Sequence, residues 1–449
     1  MIRVPDTPIS AIVRDLRRGK YSSSELVEQC LSTIVAQDPT LNAFITVLGD
    51  EVRTEADAAD RAMAQGHLKG PLHGIPISLK DILDVEGVAT TAASRVRLGH
   101  QATRDAIVVS RLRAAGAIII GKCNLHEFAF GTTGEDSAAG PTRNPHDHER
   151  IPGGSSSGSA VSVASGMAIA SIGTDTGGSI RIPASACGIV GLKPTFNEVP
   201  CDGVVPLAPT LDHVGPLTRT VADAHLLYRT ISDDSTSVES SIAATNQKIF
   251  FGIPRSYFFD VIDRDVGTAF ESTVRRLEAT GGTIVDVDIP HASDTATIYL
   301  HTQLPEAAMQ HRTLLETKRS EYCPSVRTRL ELGGYVLAQD YVLAQQGRKV
   351  LTKEVDDALR KCDVLLLPTL PILPPNLGSD TVTVGEISSS VRALTLRMTQ
   401  LFDLTGHPAI SLPSGFVKGL PVGTQLVGNR YQTSTLLSHA TRYEDSIRG

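Results

Sequence analysis

The chain has 449 residues, of which 41% are hydrophobic and 20% charged, and a formal net charge of −7. This is ordinary globular composition with enough apolar residues for a sizeable core. The acidic balance, with no aromatic-basic stripe, argues against nucleic acid as a partner, because phosphate binding needs a basic surface.

The first 20 residues carry charges throughout and no apolar signal core. Ser22 and Glu25 stand at capping-box spacing and predict an amphipathic helix running to about Ala36. A second helix is expected over roughly Glu51–Gln65, and a short strand over Gly74–Leu79. Asp105–Ala115 has helical period and leads into the apolar run Gly116–Gly121, a helix–turn–buried strand unit. Ser159–Ala168 consists of small residues that suit a closely packed helix, and Ala168–Gly173 follows as a buried strand. The polar stretch Ser232–Ser237 reads as a surface loop rather than a domain boundary. Beyond it come a strand (Lys248–Ile253), a helix (Gly267–Thr280) and strands over Thr283–Val287, Cys362–Pro368 and Pro408–Pro413. Leu420–Val427 is expected to pair with the last of these as a hairpin. The apolar stretch Val364–Pro375 contains four prolines, which excludes a membrane helix there. Six scattered cysteines show no CxxC or Cys/His ligand spacing, so no zinc site is expected, and their sparseness fits a reducing compartment. A soluble cytoplasmic protein follows as the expectation. Strands and helices alternate along the whole length, which predicts an α/β fold: one large domain with a mixed, mostly parallel sheet covered by helices on both faces.

Chemistry concentrates in three segments. Two are Gly/Ser-rich loops, Gly153-Gly154-Ser155-Ser156-Ser157-Gly158-Ser159 and Gly173-Thr174-Asp175-Thr176-Gly177-Gly178-Ser179-Ile180-Arg181; the third is Gly74-Ile75-Pro76-Ile77-Ser78-Leu79-Lys80-Asp81. Both loops abut apolar or small-residue sequence, which disfavours a linker. A phosphate loop needs GxxxxGK[ST], and no lysine stands at the required place. Gly154–Gly158 matches the GxSxG nucleophile elbow with Ser156 as nucleophile, the motif of α/β-hydrolase esterases. That motif wants a strand immediately before it, and Arg143–Pro152 reads as a loop. As one site, the three segments offer serine hydroxyls, one amine and consecutive backbone N–H groups. None of the 13 histidines lies in the loops, and His73, beside the strand that leads to Lys80, reads equally well as a turn residue. Lys80 is then the available base, provided that burial holds it as the free amine. A second serine can relay the proton, and the backbone of Thr176, Gly177, Gly178 and Ser179 can serve as an oxyanion hole.

These residues resemble the amidase signature family. The two loops carry the resemblance, together with Cys187-Gly188-Ile189-Val190-Gly191-Leu192-Lys193-Pro194-Thr195, Leu211-Asp212-His213-Val214-Gly215-Pro216 and Gly406-His407-Pro408-Ala409-Ile410. The likeness spans about residue 20 to 430, with Ser157 standing where many members have glycine. It implies Ser179 as nucleophile, Ser155 as a bridging serine on a cis peptide and Lys80 as base, with Asp175, Arg181, Ser156 and Thr174 as supporting groups. It also implies a single domain over 1–449: an N-terminal helical segment (1–66), a catalytic core (67–230) and a portion that completes the sheet and shapes the substrate pocket (231–449). The implied activity is acyl transfer on a small-molecule amide, aryl amide or carbamate, with no metal, cofactor, nucleic-acid or membrane partner; a homodimer is compatible with it. A second branch of the family is the glutamine-dependent amidotransferase subunit that works with partner proteins. That branch usually carries an acid shortly before the segment matching Leu404-Thr405-Gly406, and Arg392–Phe402 contains none. The segments Glu306–Leu343 and Phe128–Asn144 are expected to shape the pocket. Met309, Leu332, Tyr335, Leu337 and Phe402 are candidates for its apolar lining, with core packing the favoured role for each.

Overall fold

Eleven strands form one sheet in the computed structural model, which describes residues 7–232 and 248–448. The stretch 233–237, read as surface loop, lies outside the described residues. In chain order the strands of the protein are β1 (Phe44–Val47), β2 (Pro76–Lys80), β3 (Ile118–Cys123), β4 (Ala170–Asp175), β5 (Val190–Lys193), β6 (His213–Thr218), β7 (Phe250–Pro254), β8 (Thr283–Val287), β9 (Val364–Pro368), β10 (Thr381–Val384), β11 (Ile387–Ser390), β12 (Ala409–Val417) and β13 (Leu420–Val427). The large sheet runs β1-β3-β2-β4-β6-β5-β12-β13-β9-β7-β8, and β10 and β11 form a separate hairpin.

The sheet is mixed. Its parallel pairings gather in two three-strand groups, β3-β2-β4 and β9-β7-β8, rather than running through the whole. Between and beside them the pairings are antiparallel, including the expected β12–β13 hairpin. In the parallel groups β2, β3, β4 and β9 are buried along their entire length, and they read in sequence as the continuous apolar or small-residue runs that such strands require. Alternate side chains of β9 enter different apolar clusters: Val364 and Leu366 join one, Leu365 and Leu367 the other. Successive strand residues point to opposite faces, so both faces of the sheet are covered.

The helices follow their sequence signals. The Ser22 hydroxyl accepts from the Glu25 N–H at 3.0 Å and the Glu25 carboxylate accepts from the Ser22 N–H at 2.8 Å, closing the capping box of helix Ser23–Leu41. That helix runs past Ala36 because Leu41 is still a core residue, and it stops where Asn42 turns left-handed (φ 52°). The small-residue helix, Ser157–Ala164, packs against β2, β3 and β4. Its residues are almost all fully buried, which larger side chains at this spacing would prevent. Among the described residues no helix is long and apolar enough to cross a membrane.

The site lies at the carboxyl ends of the first parallel group. Leu79 of β2 is in register with Ile172 of β4, so Lys80 ends its strand beside Gly173 and Thr174. Loops leaving the carboxyl ends of parallel strands enclose a crevice, the usual place for chemistry in α/β sheets.

Candidate active site

Lys80 is fully buried at the end of β2. Its Nζ lies 2.7 Å from Ser155 Oγ and 2.7 Å from Thr174 Oγ1. Burial lowers its ammonium to about 7, and the more distant carboxylates of Asp175 and Asp212 only partly oppose this. Near neutral pH a substantial fraction is therefore free amine. Ser155 follows a cis peptide bond with Gly154, and its carbonyl accepts from the His126 N–H at 3.1 Å. Thr174, named from sequence only as a supporting group, is thus as close to the amine as Ser155 is.

Ser179 sits on the neighbouring loop, and its carbonyl accepts from the Ser156 N–H at 3.2 Å. It is 6% exposed, whereas Ser155 and Lys80 are sealed at 0%. Of the three groups, Ser179 is the one open to solvent. Around it the loop is organised by Asp175. Its carboxylate accepts from the N–H groups of Gly178 (2.5 Å), Ile180 (3.1 Å) and Arg181 (3.4 Å), and it pairs bidentately with the Arg181 guanidinium, both contacts at 3.0 Å. Gly178 holds φ 138°, a conformation that favours glycine. One expectation is corrected here: the Gly178 N–H is already satisfied by Asp175 and is not open to an oxyanion. Among the described residues, the N–H groups of Thr176, Gly177 and Ser179 have no acceptor. Ser156 is fully buried and donates to the Thr174 carbonyl at 3.1 Å, and no strand leads into it, so the esterase-elbow reading of Ser156 does not fit. His73 is likewise structural: its ring bonds the Ala59 carbonyl and the Lys69 N–H.

A family model described as Amidase matches residues 25–437. The chain belongs to the amidase signature family. Among curated relatives it is 36% identical to a protein of Geobacter metallireducens named as the A subunit of glutamyl-tRNA(Gln) amidotransferase, over 98% of this chain and 97% of that one. A crystal structure described simply as an amidase superposes with TM-score 0.93 at 36% identity, covering 98% of this chain and all of the other. Another solved structure superposes at TM-score 0.91 and 32% identity over 98% of both chains; it is described as a vestigial protein complex that reveals the evolutionary origins of an s-triazine catabolic enzyme. As a family member the chain is an enzyme of C–N bond chemistry, a hydrolase or an amidotransferase.

Behind the amidase signature loops lies a buried polar cluster that extends from the supporting groups Asp175 and Arg181 to residues with no expected role. Besides Asp175, Arg181 donates to Asp403 (2.5 Å), the Thr399 carbonyl and Gln425 Oε1 (both 3.0 Å). Lys193 Nζ lies 3.1 Å from His213 Nε2, and His213 Nδ1 bonds the Leu211 carbonyl at 2.7 Å. Burial lowers Lys193 to about 7, as it does Lys80. Burial also pushes the Asp403 carboxyl well up, with Asp175 adding to the rise. For Asp175 burial pushes the same way, but the Arg181 guanidinium overrides it and holds the carboxyl well below the usual range. Lys193 and His213 sit in segments that carry the family resemblance, so a signal was present. Asp403 stands one residue beyond Arg392–Phe402, the stretch that holds no acid. Removing one member of such a network strands the others without partners. Arg181→Met should therefore lower unfolding free energy by about 3–5 kcal/mol, read by denaturant titration.

A cavity of about 100 Å³ adjoins the site, lined by Thr174, Thr176, Cys201, Leu207, Asp212 and His213 among others. Asp212 accepts from the Thr176 hydroxyl at 2.7 Å, and burial raises its carboxyl to about 6. Pro209 lines both this cavity and an outer groove formed by Glu306, Met309, Val336, Leu337 and Tyr341. Core packing, the favoured role for five apolar residues, holds only for Phe402, which is buried and stacks on Phe258. Met309 is 64% exposed and Leu337 56%, both on the groove, while Leu332 and Tyr335 are exposed nearby.

Proposed function

We propose that the protein hydrolyses a carbonyl C–N bond of a small-molecule amide or carbamate through an acyl-enzyme on Ser179. The observation that carries this reading is the buried Lys80 amine, held near neutrality and 2.7 Å from Ser155 Oγ. A neutral amine keeps an N–H for Thr174 Oγ1 and offers its lone pair to Ser155. Ser155 passes its proton to Lys80 while taking the proton of Ser179, whose Oγ attacks the substrate carbonyl. The oxyanion takes hydrogen bonds from the open N–H groups of the Thr176–Ser179 turn, principally those of Gly177 and Ser179. The tetrahedral intermediate collapses, the C–N bond breaks, and the proton on Lys80 returns through Ser155 to the leaving nitrogen. Water then attacks the ester by the same route in reverse, releasing the acid and restoring Ser179.

The second reading is an amidotransferase component that works with partner proteins, favoured by the name of the Geobacter relative. Against it, Arg392–Phe402 holds no acid, and the next residue, Asp403, is committed to Arg181. A panel of anilides, alkyl amides, carbamates, urea derivatives and glutamine separates the two. The hydrolase reading expects the isolated protein to turn over at least one non-glutamine member. Activity on glutamine alone, stimulated by a partner, overturns it.

A further inference from the structure

The oxyanion turn is held from outside its own loop. The peptide that joins Gly177 to Gly178 is bound at both ends: its N–H donates to Asp175 Oδ1 at 2.5 Å, and its carbonyl accepts from the Thr399 hydroxyl at 2.6 Å. A trans peptide is planar, with N–H and C=O pointing opposite ways, so these two bonds fix its orientation. The next peptide is fixed through its carbonyl, since Gly178 O accepts from the Ile182 N–H at 2.7 Å. The N–H groups that stay open among the described residues include that of Gly177 on one side of the clamped peptide and that of Ser179 on the other. Their mutual aim depends on ψ of Gly177 and φ of Gly178, the torsions that flank this peptide. With two adjacent glycines no side chain restrains those torsions, and Gly178 stands at φ 138°. The restraint has to come from the hydrogen bonds.

Thr399 is fully buried and lies between helix Val391–Arg397 and helix Gln400–Leu404, 222 positions from Gly177. It precedes the second helix, where a threonine hydroxyl ordinarily caps the free N–H groups of the first turn. Here the side chain makes no such bond, and the hydroxyl is given to the Gly177 carbonyl. Its other acceptor among the described residues, the Leu396 carbonyl, is distant at 3.4 Å. A Cβ on Gly178 would collide with this hydroxyl, so Thr399 and the turn are in direct contact. The backbone of Thr399 is anchored as well: its carbonyl accepts from Arg181, whose guanidinium pairs with Asp175. Asp175, Arg181 and Thr399 thus close a ring around the Gly177–Gly178 peptide, with Asp175 gripping the N–H and Thr399 the C=O. A local capping preference given up for a contact across the fold is the kind of exception expected at a functional site.

We propose that Thr399 is a positioning residue for the oxyanion hole: its hydroxyl locks the Gly177–Gly178 peptide so that the N–H groups of Gly177 and Ser179 converge on the developing oxyanion. This rests on the acyl-enzyme reading of Ser179 and extends that site by a residue that acts through the backbone. Fixed donors stabilise charge that appears only as the tetrahedral intermediate forms. Thr399 therefore acts on the chemical step and leaves substrate binding almost unchanged. Its hydroxyl also satisfies a buried carbonyl, and a group that did only that would support the fold without setting the rate per folded site.

The test measures kcat and KM on one accepted amide in wild type, in Thr399→Val, which keeps the shape and removes the hydroxyl, and in Thr399→Ser, which keeps the hydroxyl. The end point of labelling with a serine-directed sulfonyl fluoride counts competent sites, so a loss of folded protein does not imitate the effect. Thr399→Val should lower kcat per labelled site by about 10–100-fold, the scale of a misplaced oxyanion donor, with KM within about twofold. Thr399→Ser should bring kcat back to within about threefold of wild type, because the hydroxyl and its interaction in the transition state return together. An unchanged kcat in Thr399→Val, an effect confined to KM, or a Thr399→Ser as slow as Thr399→Val overturns this inference and leaves the acyl-enzyme reading standing. Thr399→Ala repeats the comparison if Thr399→Val does not fold. Loss of the fold in both assigns Thr399 to the architecture alone and likewise overturns it. A wild type that turns over no amide, glutamine included, overturns the acyl-enzyme reading with it.

Discussion

Ser179→Ala should reduce kcat/KM on any accepted amide by about 10⁶-fold, the scale seen when a serine nucleophile that acts as a unit with its base is removed. Residual catalysis comes from binding and the oxyanion turn, which the substitution leaves in place. The expectation follows from access. Ser179 is the slightly exposed hydroxyl of the site, and Ser155 and Ser156 are sealed. Ser156 is also committed to the Thr174 backbone. Wild type incubated with a serine-directed sulfonyl fluoride should gain the mass of one adduct, mapping to Ser179, and Ser179→Ala should gain none. An adduct that persists on Ser155 or Ser156 would assign the attack to a different hydroxyl. Ser155→Ala tests the relay separately: it should cost less, on the order of 10²–10⁴-fold, because it removes a proton path and keeps the nucleophile.

The candidate site was legible in sequence because the residues that compose it are marked locally. Lys80 ends an apolar run, and Ser155 and Ser179 lie in glycine-rich loops flanked by buried strands or helices, so composition alone set these loops apart from linkers. The apolar strands were legible to within a few residues for the same reason, and Thr283–Val287 and Leu420–Val427 coincide with the observed β8 and β13, whereas β1, β5, β6, β10 and β11 were not anticipated. What escaped is non-local. Arg181 meets Asp403 across 222 positions, and neither charge announces the other in the chain. The parallel-to-antiparallel balance depends on which strands become neighbours, which apolar runs do not encode. Met309 and Leu337 carry the same apolar signal as core residues, and only the packing of their helices against the rest of the chain decides that they line a groove. The Gly178 N–H illustrates the limit inside a motif: the glycines predict close approach, but whether an N–H is open depends on where the Asp175 carboxylate turns.

Lys80 carries the second large effect, and its pH dependence separates a catalytic amine from a merely buried one. Lys80→Met should lower kcat/KM by about 10²–10⁴-fold, the usual worth of a positioned general base. In wild type, kcat/KM should rise tenfold per pH unit below about 7 and level off above it, because the free amine is the active form and the folded-state value is about 7. The same shift has a stability consequence. Between about 7 and the ordinary value of 10.5 the unfolded chain holds a proton on Lys80 that the folded chain does not, so unfolding free energy rises with pH through that window. Lys193, also lowered to about 7 by burial, contributes a parallel rise. Its amine faces His213 and the Pro194 carbonyl, and it makes no contact with Ser155 or Thr174. Substituting either lysine by methionine should therefore flatten the pH dependence of stability. For the rate, the inflection near 7 should persist in Lys193→Met, whereas the activity that remains in Lys80→Met should lack it. If the inflection disappears instead in Lys193→Met or in Asp212→Asn, the titrating group that governs turnover is not the amine at the end of β2; a downward move in Asp212→Asn is what the amine predicts, because the Asp212 carboxylate raises Lys80.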